Sequence, residues 1–379
     1  MNQVDTLRFE YPVRAESTET KVTMMEHTTR RRFVGTMLAA TALPAVSRLV
    51  GARSSITDAE AGGYVRANTD WLAACRFGIG IHWTAQTVPR AGPATPFTQA
   101  VADFDLKGFL AAIDRSGADY VLFTIAHALQ RLPAPHPVLD RILPGRTCER
   151  DLIQELAEAL AAKGKHLLLY YNHSCNGGQD PAWEQAVGYH AAKKDRLAEN
   201  LMEIVSWLGN RYRKLIKAWW FDSPYSLDPR GPHNSVTTDM SGFQFPWERF
   251  TVAGKTGYSA RLVTYNPGVA ETYLYTTHQD YWAGELVNLE SPARGRYLDN
   301  GLQWFGWTCL EDRAWVHTRL DTPIPAPLHS DEAILRYVRT CNQHQAPMTF
   351  NVGIYQEGTL APGSVDQLSR LDRALKPVR

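Results

Sequence analysis

Short runs of apolar, β-forming residues recur along the chain, and amphipathic helical stretches lie between several of them. This alternation is typical of strand–helix units that build a parallel sheet covered by helices. Eight such runs in about 300 residues predict a (β/α)8 TIM-like barrel of the α/β class. The runs span residues 77–83, 120–127, 166–172, 218–223, 261–266, 272–277, 302–308 and 348–354, and the helical stretches span 105–116, 150–163, 195–214, 330–342 and 364–375.

The predicted barrel occupies residues 53–379 as a single domain. Of the 379 residues, 44% are hydrophobic, which is enough for a large buried core. The net charge of +1 argues against a nucleic-acid partner, because such partners require a basic surface. The five cysteines have neither metal-site nor disulfide spacing, so we expect mostly free, buried thiols.

Residues 1–52 have a different pattern from the rest of the chain. Thr29, Arg30, Arg31 and Phe33 resemble the twin-arginine export motif, and a weakly apolar run follows as far as Val46. That run is too short and too rich in Ala and Thr for stable membrane insertion. The pattern predicts an N-terminal extension and signal peptide, the twin-arginine translocase as export partner, and a periplasmic or secreted protein. The alternative is a basic cap on an ordinary first helix.

Polar and aromatic side chains collect where the predicted strands end. In a (β/α)8 barrel, the catalytic groups lie at the C-terminal ends of the strands. A single histidine there is more often structural than catalytic, but histidine, carboxylate and indole groups at many strand ends together indicate a site. The candidates at these ends are His82, Trp83, His127, Tyr171, His173, Asp222, Trp304 and Trp307.

Asp222 is the most informative of these candidates. It follows Ala218-Trp219-Trp220-Phe221, an apolar run that contains no other charge. A carboxylate in this position is costly unless it is hydrogen-bonded or functional. The two interpretations are a catalytic carboxylate and a capping residue, since Asp before Ser-Pro commonly starts a turn.

Seven groups of segments, in chain order, resemble the α-L-fucosidases of glycoside hydrolase family 29. The clearest is Trp220-Phe221-Asp222, which is similar to the Trp-Phe-Asp-Gly motif of that family. The resemblance extends over roughly residues 70–375. The other segments are 77–83; 104–105 with 118–121; 150–152 with 169–171; 279–285; 308–309; and 350–353 with 357–358.

The resemblance implies a retaining glycoside hydrolase that acts by double displacement on a carbohydrate substrate. Asp222 would be the nucleophile, and Glu285 would be the acid/base, with Tyr281 and Trp282 as apolar neighbours that raise its pKa. Such a mechanism requires no metal or organic cofactor. We expect hydroxyl recognition by His82, His127, Tyr171 and His173, and sugar stacking on Trp83, Trp304 and Trp307; Asp280, Glu271, Glu248 and Glu311 are rival carboxylates.

Several positions depart from the family pattern. The paired histidines that follow strand two in the family are His127-Ala128 here, Ser223 replaces a glycine, and Trp307 stands where a glutamate is usual. The C-terminal β-sandwich common in the family has no counterpart in the sequence. The alternatives are therefore a divergent barrel glycosidase for another sugar and a non-catalytic carbohydrate-binding barrel.

Overall fold

The computed structural model describes residues 66–228, 235–289 and 291–376. The predicted signal peptide lies outside these residues and stays a prediction. The seven strands are β1 (Phe77–Ile81), β2 (Tyr120–Ala126), β3 (His166–Asn172), β4 (Ile216–Asp222), β5 (Leu262–Tyr265), β6 (Gly306–Cys309) and β7 (Met348–Asn351). The α-helices are α1 (Asp70–Ala73), α2 (Phe97–Asp103), α3 (Leu106–Ser116), α4 (Pro137–Ile142), α5 (Leu152–Ala162), α6 (Pro181–Val187), α7 (Asp195–Tyr212), α8 (Trp247–Gly254), α9 (Asp331–Gln343) and α10 (Pro362–Leu375).

The strands form one parallel sheet in the order β5-β4-β3-β2-β1-β7-β6. Seven of the eight predicted runs overlap these strands, which form the curled sheet of a TIM-like fold. The predicted strand over residues 272–277 is wrong, because that segment is irregular.

The place between β5 and β6 is taken by the irregular segment 280–286. The N–H of Asp280 donates to the Val263 carbonyl at 2.9 Å, and the Asp280 carboxylate accepts from the Val263 N–H at 2.8 Å. On the other side, the Trp307 N–H donates to the Gly284 carbonyl at 2.7 Å. A Cβ at Gly284 would lie 1.8 Å from the Phe305 carbonyl oxygen, so only glycine permits this approach. This segment occupies the free edge of β5, and residues 272–277 are left without a strand to pair with.

The predicted helices form with the caps that their sequences indicate. The side chains of Asp105, Asp151 and Ser330 each accept a backbone N–H in the first turn of α3, α5 and α9. Gly117 ends α3 at a φ of 76°, a left-handed conformation that favours glycine. Among the described residues, no helix is long and apolar enough to span a membrane. All five cysteines are free and buried, as predicted.

Aromatic rings fill the concave interior of the sheet. Because side chains alternate across a strand, residues two apart point to the same side. A Cβ at Gly78 would lie 2.1 Å from the Tyr120 ring, and a Cβ at Gly80 would lie 2.3 Å from Trp307. The glycines of β1 thus leave the space that these rings occupy. The interior cluster contains Leu72, Cys75, Tyr120, Leu122, Leu168, Tyr170, Ala218, Trp220, Leu262, Tyr281, Ala283, Phe305 and Trp307.

Arg261 joins β4 to the ends of α7 and α8 from a fully buried position. Its guanidinium donates only to main-chain oxygens, those of Ile216, Gly254, Thr256, Gly209 and Arg213. We expect Arg261→Met to lower the free energy of unfolding by about 3–5 kcal/mol, because five main-chain oxygens lose hydrogen bonds from the guanidinium, three of them buried and two partly buried. Urea denaturation measures this change. The exposed Arg249→Met is the control, with an effect within about 0.5 kcal/mol; equal stability of the two variants would contradict the prediction.

Candidate active site

Asp222 lies at the C-terminal end of β4 and receives four hydrogen bonds. Its Oδ2 accepts from the Tyr170 hydroxyl and, at 3.3 Å, from Asn172 Nδ2. Its Oδ1 accepts from the Ser223 N–H at 2.8 Å and from Asn266 Nδ2 at 2.9 Å. Four donors stabilise the negative charge and fix the orientation of the carboxylate. Its side chain remains partly exposed, so it is accessible from the mouth of the sheet.

Glu285 lies beside Asp222, on the segment between β5 and β6. Asn266 Nδ2, which donates to Asp222, also donates to Glu285 Oε2 at 2.7 Å. The two carboxylate oxygens therefore lie no more than about 5.6 Å apart, which is compatible with the roughly 5–5.5 Å separation of retaining glycosidases and shorter than the roughly 6.5–9.5 Å of inverting ones. Burial and the neighbouring Asp222 charge raise the pKa of Glu285 to about 7, whereas the hydrogen bond from Asn266 lowers it.

The His82 ring is fixed in one tautomer. Asn351 Nδ2 donates to the Trp315 carbonyl at 3.0 Å, so Asn351 Oδ1 faces His82 Nδ1, 2.9 Å away, and accepts a hydrogen bond from the Nδ1–H group. Burial and the adjacent His127 lower the pKa of His82 to about 3, which keeps the ring neutral. Nε2 then carries a lone pair and can accept a hydrogen bond from a ligand hydroxyl.

His127, whose ring lies next to that of His82, has the other tautomer. Asn172 donates to Asn176 Oδ1 at 3.3 Å, which leaves Asn176 Nδ2 to donate to His127 Nε2 at 3.4 Å. Nδ1 therefore carries the proton, and this buried atom has no hydrogen-bond partner among the described residues. The His82 and His127 rings are 5.6 Å apart, so an acceptor and a donor lie on neighbouring rings.

Aromatic rings surround these polar groups. Trp307 stacks on His82 with a centroid distance of 5.0 Å and contacts Trp220 edge-on at 4.8 Å. Trp315, from the loop after β6, lies 5.2 Å from His82 and 5.0 Å from Trp307. Tyr170 stacks on Trp220 at 5.1 Å while its hydroxyl contacts Asp222. The site therefore combines two carboxyl groups and two neutral histidines with flat apolar walls.

Four of the predicted recognition residues lie elsewhere. Trp83 packs against Phe97 and Phe104 on the helix side of the sheet. Tyr171 and Trp304 belong to that same outer core. His173 lies beneath the loop after Asp222, where Nε2 donates to the Ser223 carbonyl at 3.0 Å and Nδ1 accepts from the Tyr189 hydroxyl.

None of the rival carboxylates is hydrogen-bonded to Asp222 or Glu285 among the described residues. Asp280 is buried in an ion pair with Lys255 at 2.8 Å. Glu311 accepts from the Gly353 N–H and the Ser364 hydroxyl, and burial raises its pKa to about 7. Glu248 and Glu271 are exposed. The described residues contain no group of three His, Cys, Asp or Glu side chains that could hold a metal ion.

Five residues of the site were not among the sequence candidates. Tyr170, Asn172 and Asn266 contact the carboxyl groups, while Asn351 and Trp315 support His82. Two of them could have been predicted from the alternation of side chains along β3, since Tyr170 and Asn172 share one face of the strand and Tyr171 lies on the other. Trp315 lies in an irregular loop, where no periodic pattern indicates which way a side chain points.

Comparisons with known proteins agree with this architecture. No family model and no curated protein matches the sequence. Among solved structures, α-L-fucosidase AlfC from Lactobacillus casei, in complex with α-L-fucose, matches with a TM-score of 0.54 and 16% identity over 81% of this chain and 98% of that chain.

Two endo-fucoidan hydrolases from glycoside hydrolase family 107 match as well. MfFcnA4 has a TM-score of 0.55 and 15% identity over 80% of this chain, and the match spans about half of MfFcnA4, 53%. P5AFcnA has a TM-score of 0.54 and 13% identity, with 82% of this chain and 94% of that chain covered. The chain thus has the TIM-like fold of these glycoside hydrolases.

Proposed function

We propose that this chain is a retaining glycoside hydrolase that cleaves a terminal α-L-fucosyl or related glycosidic bond. The observation that carries the proposal is the joint contact of Asp222 and Glu285 with one amide nitrogen, that of Asn266. Two carboxyl groups at this separation suit double displacement, whereas inverting enzymes need a wider gap for water. The fold shared with the fucosidase AlfC supports the choice of sugar.

In the first step, Asp222 attacks the anomeric carbon, and the bond to the leaving oxygen breaks as Glu285 donates its proton to that oxygen. In the second step, water attacks the anomeric carbon and gives a proton to the Glu285 carboxylate. The bond to Asp222 then breaks and Asp222 leaves as a carboxylate. Two displacements retain the anomeric configuration.

His82 and His127 would orient the sugar through one donor and one acceptor. The lone pair on His82 Nε2 accepts from a sugar hydroxyl, and the unpartnered His127 Nδ1–H donates to an oxygen nearby. Trp315, which is partly exposed and packs on Trp307, offers an apolar face to the C–H groups of the ring. Buried polar atoms that a ligand satisfies strongly favour that ligand over an analogue lacking the group.

A panel of nitrophenyl glycosides tests the proposal on the full chain. We expect the α-L-fucoside to have the highest kcat/KM in the panel, and proton NMR to detect α-L-fucose as the first product. A first product of inverted configuration would contradict double displacement. A different preferred sugar would overturn the fucose assignment, and binding without turnover across the panel would favour a non-catalytic carbohydrate-binding barrel.

A further inference from the structure

We infer that Asn266 is a positioning residue that holds the two carboxyl groups together and keeps Glu285 able both to give up a proton and to take one back. This inference rests on the proposed function of Asp222 and Glu285. Asn266 follows β5 and is 2% exposed. Its amide nitrogen has two N–H bonds, and each points at a different carboxylate, with distances of 2.9 Å to Asp222 and 2.7 Å to Glu285.

The orientation of this amide follows from its other contacts. Asn266 Oδ1 accepts from the Gly268 N–H at 3.1 Å, and the Asn266 main-chain N–H donates to the Phe221 carbonyl at 2.9 Å. A flipped amide would place oxygen against two carboxylates and nitrogen against an N–H donor, and both contacts would be repulsive. The Phe221 contact also ties the amide to the residue that precedes Asp222, so the nucleophile and its donor move together.

The amide offsets the repulsion between the two carboxyl groups. Like charges this close disfavour simultaneous ionisation, and burial adds to that effect at Glu285. A hydrogen bond donated to the charged form acts in the opposite direction and lowers the pKa of Glu285. Asn266 therefore limits how far the Glu285 pKa rises, and this keeps the group able both to donate a proton and to take one back near neutral pH.

Other described groups around Glu285 do not replace this contact. Asp222 faces it from β4, and its charge raises the Glu285 pKa. Burial raises the pKa of the Cys309 thiol at the end of β6, and the charges of Glu311, Asp312 and Glu285 add smaller contributions. Since Cys309 is neutral at physiological pH, the Asn266 amide is the described hydrogen-bond donor that lowers the Glu285 pKa.

Titration of Glu285 in Asn266 variants tests the inference without requiring activity. Asn266→Asp keeps the side-chain volume and the acceptor for Gly268, but it replaces the shared donor with an oxygen. Asn266→Ala removes both donors. Carbon-13 NMR of protein labelled at glutamate carboxyl carbons, assigned with Glu285→Gln, reports the pKa of Glu285.

We expect both variants to raise the Glu285 pKa by about one unit or more, because each removes a charge-assisted hydrogen bond. The control is Asn200→Ala, which removes an amide that donates to the Val187 carbonyl; it should leave the titration unchanged.

We also expect kcat to fall about 100-fold in Asn266→Asp, with the basic limb of its pH profile shifted upward. An unshifted titration in both Asn266 variants overturns the inference. A shifted titration in a protein that hydrolyses no glycoside refutes the proposed function and leaves the positioning role supported.

Discussion

Replacing Asp222 by alanine is expected to reduce kcat for nitrophenyl α-L-fucoside by about 10³–10⁵-fold. In the proposed mechanism this carboxylate is the protein group that forms a bond to the anomeric carbon, and removal of a covalent nucleophile has effects of this order. KM should change less, because His82, His127 and the aromatic walls remain. Steady-state kinetics on the purified variant measure both parameters.

The rival carboxylate Glu248 supplies a matched control for this experiment. It is exposed and accepts a hydrogen bond from the Thr276 hydroxyl at 3.0 Å. We expect Glu248→Gln to retain kcat within about threefold, because the exposed side chain has no hydrogen bond to Asp222 or Glu285 among the described residues and surface substitutions usually have small effects. Turnover that survives Asp222→Ala while Glu248→Gln abolishes it would reverse the assignment.

The sequence pattern predicted the main parts of the fold for a physical reason. Buried parallel strands read as continuous apolar runs, and capped helices begin and end with recognisable residues, such as Asp105 and Gly117 around α3. The predicted strand over residues 272–277 does not form, because a strand needs a free neighbouring edge with which to pair. Tyr273 and Tyr275 have strand-forming side chains, but Asp280 already occupies the edge of β5.

Prediction of the candidate site was limited mainly by the direction of side chains. Strand ends indicated Asp222, and a motif resemblance indicated Glu285, so the paired carboxyl groups were both named from the sequence. Tyr171 was named in place of its neighbour Tyr170, which faces the interior of the sheet. Neighbouring residues of a strand face opposite sides, so an error of one position selects the wrong face. Trp304 was also named, but it packs in the outer core. The shared amide of Asn266 depends on two segments meeting in space, which no local pattern encodes.

A second large effect is expected at Glu285, where a single substitution should change the rate, the pH profile and the stability. For glycosides with poor leaving groups, Glu285→Gln should lower kcat/KM by about 10²–10⁴-fold, because such leaving oxygens require a proton. For Glu285→Ala, azide should restore turnover of the nitrophenyl substrate, since a small anion can enter the space and attack without a base. Azide would take the place of water in the second displacement, so the product would be a glycosyl azide of retained α configuration, which NMR identifies.

The pH dependence of these variants has a definite sign. Since the pKa of Glu285 is raised to about 7, the wild-type group is protonated below that pH, and the activity that depends on its proton should decline above it. Glu285→Gln should lack this basic limb.

The stability of the fold should depend on pH through the same group. Because the folded pKa exceeds the ordinary value of 4.5, ionisation destabilises the wild-type fold progressively as the pH rises from about 4.5 to 7. Glu285→Gln avoids this loss, so its free energy of unfolding should exceed that of the wild type above pH 7. An unchanged pH profile together with unchanged stability would place the proton donor on another residue.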